Sequence, residues 1–400
     1  MKTAAWSELE KMPAGSFLLL DVREPEEYRR GTLPGAVNLP EELLEEQWEA
    51  ADKAPGRVTF ARAYEEPVIL RRDQPVYLIC HNGGTVSARA AAWLMERGFD
   101  AGIVQGGYRR YLASKLREEA EDPGLAERTA EVERSIIKKY RRSLWRPVTK
   151  ALHDYQLIQA GDRIAVCISG GKDSMLLAKI LQELQRHGNV PFELVYLTMN
   201  PGYNEENWSI VQSNAKILGI PLTVFESGIF DAVKEIDKNP CYLCARMRRG
   251  NLYANARDLG CNKIALGHHF DDVIETVLMG MLFAGKFETM MPKLHSRNFP
   301  GMELIRPLYL VREADVKAWR DYNHLHFIQC ACQFTEDCAD NHGTSRRSDM
   351  KELIARLQKA DPTIPQNIFN STRDVSLNTI LGWHTREKAY YFLDDYEERG

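Results

Sequence analysis

Arg163-Ile-Ala-Val-Cys-Ile168 runs directly into Ser169-Gly-Gly-Lys-Asp-Ser174, and an amphipathic stretch, 175–187, follows. An unbroken apolar, β-branched run of this length predicts a strand covered on both faces, as in a parallel sheet. The stretch after the loop has helical spacing. Gly170 and Gly171 let backbone approach phosphate oxygens closely. The helix start beyond them offers unpaired N–H groups and partial positive charge. Ser169 and Ser174 add hydroxyls, and Lys172 adds a cation. Strand, loop and helix in that order predict an anion cradle for pyrophosphate. The spacing GxxxxGK[ST] does not fit, so this is not a Walker A loop. A plain Gly-Gly turn with a capping serine is the simpler alternative, and the strand–loop–helix order weighs against it.

Outward from the loop, the pattern continues as strands at 192–199, 222–225 and 263–266 and helices at 205–218 and 271–283. Such alternation predicts a doubly wound parallel sheet, whose ligands bind at the carboxyl ends of the strands. Residues 169–174, 200–203 and 268–272 all fall at such ends. Magnesium prefers oxygen ligands and phosphates, so Asp173, Asp271 and Asp272 are its candidate carboxylates. Gly267, His268 and His269 precede the pair, and tandem histidines beside Asp-Asp at a strand end point to a site rather than to core. The expected nucleotide-binding set is Ser169, Gly170, Gly171, Lys172, Asp173, Ser174, Gly267, His268, Asp271 and Asp272.

The front of the chain has its own α/β pattern. Strands are expected at 17–21, 76–79 and 101–105, with Pro25 suited to a first helical turn. The strand at 76–79 enters Cys80-His-Asn-Gly-Gly-Thr-Val86 and then a helix over 87–98. Residues 114–135 are rich in Glu, Arg and Ala and read as a charged helical connector with little to bury. The expected organisation is a first α/β domain over 1–117, a linker over 118–135, the nucleotide domain over 136–345 and a partly helical tail over 346–400.

Composition sets the class. The 400 residues are 44% hydrophobic and 27% charged, ordinary for soluble globular protein. No apolar run approaches the roughly 18 residues that cross a membrane, and the start lacks a secretory apolar stretch, so a cytoplasmic protein is expected. Eight cysteines there read as thiols, metal ligands or sulfur carriers rather than disulfides. Net charge is −4, yet residues 134–153 hold seven Lys or Arg and no acid. Lys138, Lys139, Arg141, Arg142, Arg146 and Lys150 form a stripe suited to phosphates, with Tyr140 and Trp145 interleaved as possible base-stacking groups or as core. Arg246, Arg248 and Arg249 are further phosphate candidates.

Cys241-Tyr-Leu-Cys244 suits zinc, an iron–sulfur cluster or a redox pair, and Cys330, Cys332 and Cys338 lie far downstream. Cys167 and Cys261 read as small core residues.

The loop 169–174 resembles the PP-loop of the ATP pyrophosphatase superfamily, whose members cleave ATP between the α and β phosphates and adenylate a substrate oxygen. Residues 136–345 resemble the tRNA 2-thiocytidine synthetase family more specifically. The matching stretches are Gly161 to Ser174, Cys241-Tyr-Leu-Cys-Ala-Arg-Met-Arg-Arg-Gly-Asn-Leu-Tyr253, Lys263 to Asp272, Met291-Pro-Lys-Leu294 and Ile305-Arg-Pro-Leu308. That resemblance implies ATP with Mg2+, tRNA as substrate and a [4Fe-4S] cluster on Cys241, Cys244 and Cys330. It also allows a homodimer. The family's second CxxC reads Cys330-Ala-Cys332 here, so the third ligand is open between those two.

Residues 5–115 resemble a rhodanese domain through Asp21-Val-Arg-Glu-Pro-Glu-Glu-Tyr28, Gly31-Thr-Leu-Pro-Gly-Ala-Val-Asn-Leu-Pro40, Cys80 and Gly106-Gly107. Rhodaneses carry persulfide sulfur at the place Cys80 occupies, where loop amides and a helix dipole favour the anion. The arginine usual near the end of that loop is absent, and His81 is the nearest expected cation. A rhodanese fold used only for docking is the alternative. The reading is an ATP-dependent tRNA sulfurtransferase, in which a cysteine desulfurase or other persulfide donor loads Cys80 and Asp173, Cys241 and Cys244 take part in the chemistry. Rivals are a cluster-free tRNA uridine thiolase, a PP-loop amidating enzyme and a sulfur carrier without catalysis.

Overall fold

The structure is a computed structural model and describes residues 1–62, 65–227, 240–328, 346–394 and 396, with the side chains of 62, 65 and 240–246 not described. The front domain holds a five-stranded sheet in the order β1-β8-β7-β2-β3. Its strands are β1 (Lys2–Ala4), β2 (Leu18–Asp21), β3 (Val37–Asn38), β7 (Val76–Ile79) and β8 (Ala101–Val104), and each neighbouring pair is parallel. Between β3 and β7 the chain inserts an antiparallel ribbon of β4 (Asp52–Ala54), β5 (Arg57–Arg62) and β6 (Glu65–Arg71). The sequence reading passed over this ribbon, although Val58, Phe60, Val68 and Leu70 alternate inward with the period of two that marks a half-buried strand.

The second sheet runs β11-β10-β9-β12-β14-β13, built from β9 (Arg163–Ile168), β10 (Glu193–Asn200), β11 (Leu222–Glu226), β12 (Lys263–Ala265), β13 (Lys293–His295) and β14 (Glu303–Ile305). It is parallel except for the β13–β14 pair. After β9 the chain winds outward through β10 and β11, then returns to place β12 on the other side of β9. The strand order therefore reverses at β9, and the crevice at that reversal is where an open α/β sheet receives its ligand. Both the 169–174 loop and the 267–272 segment open there.

The 118–135 stretch is not the exposed connector its composition suggests. The Gly107–Ala120 helix continues into it, and the Leu125–Ile137 helix buries Val132 and Ile136 in the core of the second sheet. Glu133 pairs with the buried Lys179 at 2.5 Å, and Lys179 also donates to Leu218 O at 2.7 Å. A charged helix can be core on one stripe, and here that stripe is narrow. Ala113, Leu116 and Ala120 of the front domain's last helix join Ile210, Val211 and Ile217 in one apolar cluster, so while the front sheet keeps cores of its own, this helix is part of the second domain's core. Arg110 and Glu206 close its edge at 3.0 Å.

The tail also packs. Met350 and Ile354 of the Arg346–Ala360 helix are buried, and Ile354 and Phe369 pack against Phe270, Val273 and Ile274. The basic 134–153 stretch is not one helix: it breaks into the end of Leu125–Ile137, a π-helical turn at Arg141–Trp145, and the Arg146–Asp154 helix with Pro147 in its first turn.

Candidate active site

The 169–174 loop is held by its own serines. Ser174 Oγ accepts from the Ser169 N–H at 3.1 Å, donates to Gly171 O at 3.0 Å and lies 3.1 Å from Ser169 Oγ. Gly170 sits at φ +83°, and a Cβ there would meet Val211 Cγ2 at 2.6 Å and Ile328 Cδ1 at 2.7 Å. Gly171 is different: nothing comes within 3.6 Å of its would-be Cβ, which leaves an open cradle at the start of the Lys172–His187 helix. Gly267 must be glycine for space, since a Cβ would lie 3.0 Å from both Asp173 C and Ser174 N. The segment after β12 thus presses directly on the first turn beyond the loop.

The three candidate carboxylates have different surroundings. Asp271 is bound by Arg312 Nη2 at 2.9 Å and by the Glu313 N–H at 2.6 Å. Asp272 accepts the His269 N–H at 2.8 Å and pairs with Arg347 at 3.0 Å. Asp173 uses one oxygen for Lys172 at 3.0 Å, while its buried Oδ1 has no hydrogen-bond partner. His268 Nδ1 is likewise buried without a partner. Burial, with the Arg306 guanidinium nearby, pushes His268 down to about 4, so the ring is neutral at pH 7. Asp173 and His268 line one cavity beside the loop, and the unpaired Asp173 carboxylate oxygen is the kind of donor that magnesium prefers. A cavity of about 310 Å³ covers these groups, lined by Ser169, Asp173, Ser174, Met199, Gly267, His268 and Asp272. Arg248, read from sequence as a tRNA contact, lines this same cavity.

In the front domain, Cys80 directly follows β7 and precedes the Thr85–Glu96 helix. Its side chain is 3% exposed, with Sγ 3.1 Å from Ser87 Oγ. Gly106-Gly107 packs under the loop: a Cβ on Gly107 would collide with Cys80 O and Gly83 N. The Asp21-Val-Arg23 motif has a positioning role. Asp21, fully buried, pairs with Arg23 at 2.6 Å and accepts Thr32 Oγ1 at 2.6 Å. His81 is not the loop's cation, because burial, with Arg109 and Arg23 beside it, pushes it down to about 4. The cations beside His81 are Arg109 and Arg23, and Arg23 is itself paired with Asp21. Neither was singled out from sequence, although Arg23 lies inside the motif.

A larger cavity, about 740 Å³, opens between the two domains. Arg23, Arg30 and His81 line it from the front, and Lys172, Asp173 and Ile328 from the second domain. Asp173 belongs to both cavities.

A family model described as a PP-loop domain matches residues 141–338, and a rhodanese-like domain model matches residues 5–114. The tRNA-cytidine(32) 2-sulfurtransferase of Shewanella denitrificans is 36% identical over 253 residues, which cover 62% of this chain and 75% of that protein. The one of Nitrosospira multiformis is 34% identical over 255 residues, covering 62% and 82%. This chain belongs to the tRNA-cytidine(32) 2-sulfurtransferase family. Among solved structures, a U34-tRNA thiolase from Methanococcus maripaludis with its [4Fe-4S] cluster is 23% identical, covering 57% of this chain and 76% of that one at a TM-score of 0.46.

The remaining residues expected from the family resemblance fall in two groups. Cys330, with Cys332 and Cys338, lies outside the described residues, as do the side chains of Cys241, Cys244 and Arg246. The backbone places Cys241 and Cys244 in the first turn of the Pro240–Asp258 helix, and position 248, which reaches the nucleotide cavity, is one turn beyond position 244. The basic stripe is described in full. Lys138, Lys139, Arg141, Arg142, Arg146 and Lys150 are all exposed, as is Arg249. Tyr140 is committed to structure, donating to Ala318 O at 2.8 Å and meeting Tyr322 edge-on, and Trp145 packs on the core. No helix among the described residues is long and apolar enough to cross a membrane.

Proposed function

We propose that this protein is an ATP-dependent tRNA sulfurtransferase that converts a cytidine of tRNA to 2-thiocytidine, with its rhodanese domain supplying persulfide sulfur. The observation that carries the reading is the shared cavity: the PP-loop residues Lys172 and Asp173 and the rhodanese loop residue His81 open onto one space within one chain.

ATP binds with its phosphates over Gly171 and the Lys172–His187 helix terminus, held by Ser169, Ser174 and loop amides. Asp173 and Asp272 line the cavity and would hold Mg2+, which would neutralise phosphate charge there. The base oxygen attacks the α phosphate, the bond to the β phosphate breaks, and pyrophosphate leaves. Adenylation turns a poor leaving group into AMP. A sulfur nucleophile then adds to C2 of the base, and AMP departs with the former base oxygen. Neutral His268 supplies a hydrogen-bonding ring nitrogen beside the cavity without adding a cation that would compete for phosphate.

A [4Fe-4S] cluster would be held by Cys241, Cys244 and either Cys330 or Cys332, and would supply iron for sulfur binding. A persulfide donor such as a cysteine desulfurase loads Cys80; a second thiolate attacks the terminal sulfur and takes it as a new persulfide while the Cys80 thiolate leaves, and a thiol reductant supplies the two electrons that turn this sulfur into the nucleophile. The exposed stripe at Lys138–Lys150 binds tRNA phosphates, giving salt-sensitive affinity without base selectivity, and the target base leaves its stack to reach the cavity. The test is a survey of thionucleosides in tRNA after gene deletion. Loss of 2-thiocytidine, restored by the intact gene but not by Ser174→Ala, supports the reading. Loss of a thiouridine instead would replace the substrate, and no change in any thionucleoside would overturn the function.

A further inference from the structure

The Arg346–Ala360 helix, from a tail whose sequence shows no motif, delivers two cations to the nucleotide site. Arg347 Nη2 lies 3.0 Å from Asp272 Oδ1, and Arg347 Nε donates to Glu275 Oε2 at 2.9 Å. One turn on, Lys351 Nζ lies 2.8 Å from Glu313 Oε2. Glu313 also takes Lys172 of the PP-loop at 3.2 Å. Burial alone would raise the Glu313 carboxyl, but Lys351, Lys172 and Lys317 hold it well below the usual carboxylate range.

The pairs differ in how firmly they hold. Glu275 is buried, whereas Arg347 and Lys351 are half-exposed and end in long flexible side chains. Asp272 lines the nucleotide cavity; were its Oδ1 given to Mg2+, Arg347 would lose the Nη2 contact and keep its Nε bond to Glu275. The guanidinium then pivots rather than leaves. Lys172 and Lys351 share one carboxylate, so Lys172 can turn to phosphate while Lys351 keeps Glu313 neutralised or follows it. ATP brings more negative charge than one magnesium cancels, and displaced cations beside it find phosphate oxygens as their best partners.

We propose that the Arg346–Ala360 helix completes the nucleotide site, with Arg347, pivoting on Glu275, and Lys351 binding the β and γ phosphates of ATP and then the departing pyrophosphate. This rests on the ATP-dependent reading above. The test is calorimetric binding of α,β-methylene-ATP, inorganic pyrophosphate and AMP, each with Mg2+, to the full chain. Arg347→Gln and Lys351→Gln should each weaken the ATP analogue and pyrophosphate about tenfold, as loss of a charge-assisted hydrogen bond does, and leave AMP unchanged. Arg347→Lys should recover part of the loss. Equal weakening of all three ligands, or no weakening, overturns the proposal and leaves the helix a structural strap. Ser174→Ala separates the two readings: if it binds the ATP analogue as the wild type does, or the wild type binds none, the ATP-dependent function falls as well.

Discussion

Gly267→Ala is the sharpest single test of the nucleotide site. The added methyl would stand 3.0 Å from Asp173 C and Ser174 N and 3.2 Å from Asp173 O. Carbon contacts settle at about 3.5–4.0 Å, so something must yield by roughly half an ångström. All three neighbours are backbone of the first turn of the Lys172–His187 helix, and no side chain can swing away. Overpacking of this kind costs about 1–3 kcal/mol. The functional effect should exceed the loss of stability, because the displaced turn carries Asp173 and the amides over the phosphates, and a misplacement near 1 Å can cost about 10²-fold. Backbone strain does not contribute, since Gly267 is not among the glycines with positive φ. The assay is ATP-dependent thiolation of tRNA with the ATP analogue's affinity measured in parallel. A roughly hundredfold fall in thiolation at low ATP is expected, with the transition temperature lowered by a few degrees. An alanine variant that binds nucleotide within twofold of wild type would show that the β12 segment does not press on the loop, and the geometry argued here would be wrong.

Four further outcomes follow from the same structure. Cys80→Ser should abolish thiolation supported by a persulfide donor while leaving binding of the ATP analogue unchanged, and full activity in that variant would remove the relay. Arg141→Ala with Arg142→Ala and Arg146→Ala should weaken tRNA binding and reduce the slope of log affinity against log salt by about two to three; an unchanged slope would place the tRNA elsewhere. Lys179→Ala should destabilise the chain by about 1–3 kcal/mol, because Leu218 O and Gln182 Oε1 lose their buried donor while Glu133 keeps Arg186, and denaturant unfolding reads that directly. His268 and His81 both sit near 4, below the ordinary 6.5. Folding therefore favours their neutral forms, and the stability they contribute is complete above pH 6.5 and lost as pH falls from 6.5 toward 4. His81→Asn with His268→Asn should flatten the decline in thermal stability between pH 6.5 and 5, and an unaltered decline would assign it to other groups.

The tail and the 118–135 stretch show why some of this was hidden in the sequence. Arg347 and Lys351 stand on a helix with no motif, and their meaning depends on Asp272, Glu275 and Glu313, which lie far away in the chain. Val132 and Ile136 are two apolar positions among charges, too few for composition to reveal a buried stripe. Among Asp173, Asp271 and Asp272 the chemistry is identical, and only the neighbours Lys172, Arg312 and Arg347 distinguish them.

What the sequence determined alone was local. Arg163–Ile168, the Ser169–Ser174 loop and the helix after it are contiguous, so their order, hydrogen-bond donors and charge follow from composition and spacing. The same holds for Cys80 between a strand and a helix. Tertiary structure decided what those loops face. The reversal of strand order at β9 placed Gly267 against Asp173, and the apolar joint of Ala113, Leu116 and Ala120 with Ile210 and Val211 turned the rhodanese loop toward the PP-loop. Such contacts join residues about a hundred positions apart. Their energies lie in packing and paired charge across the fold, and no window of sequence contains both halves.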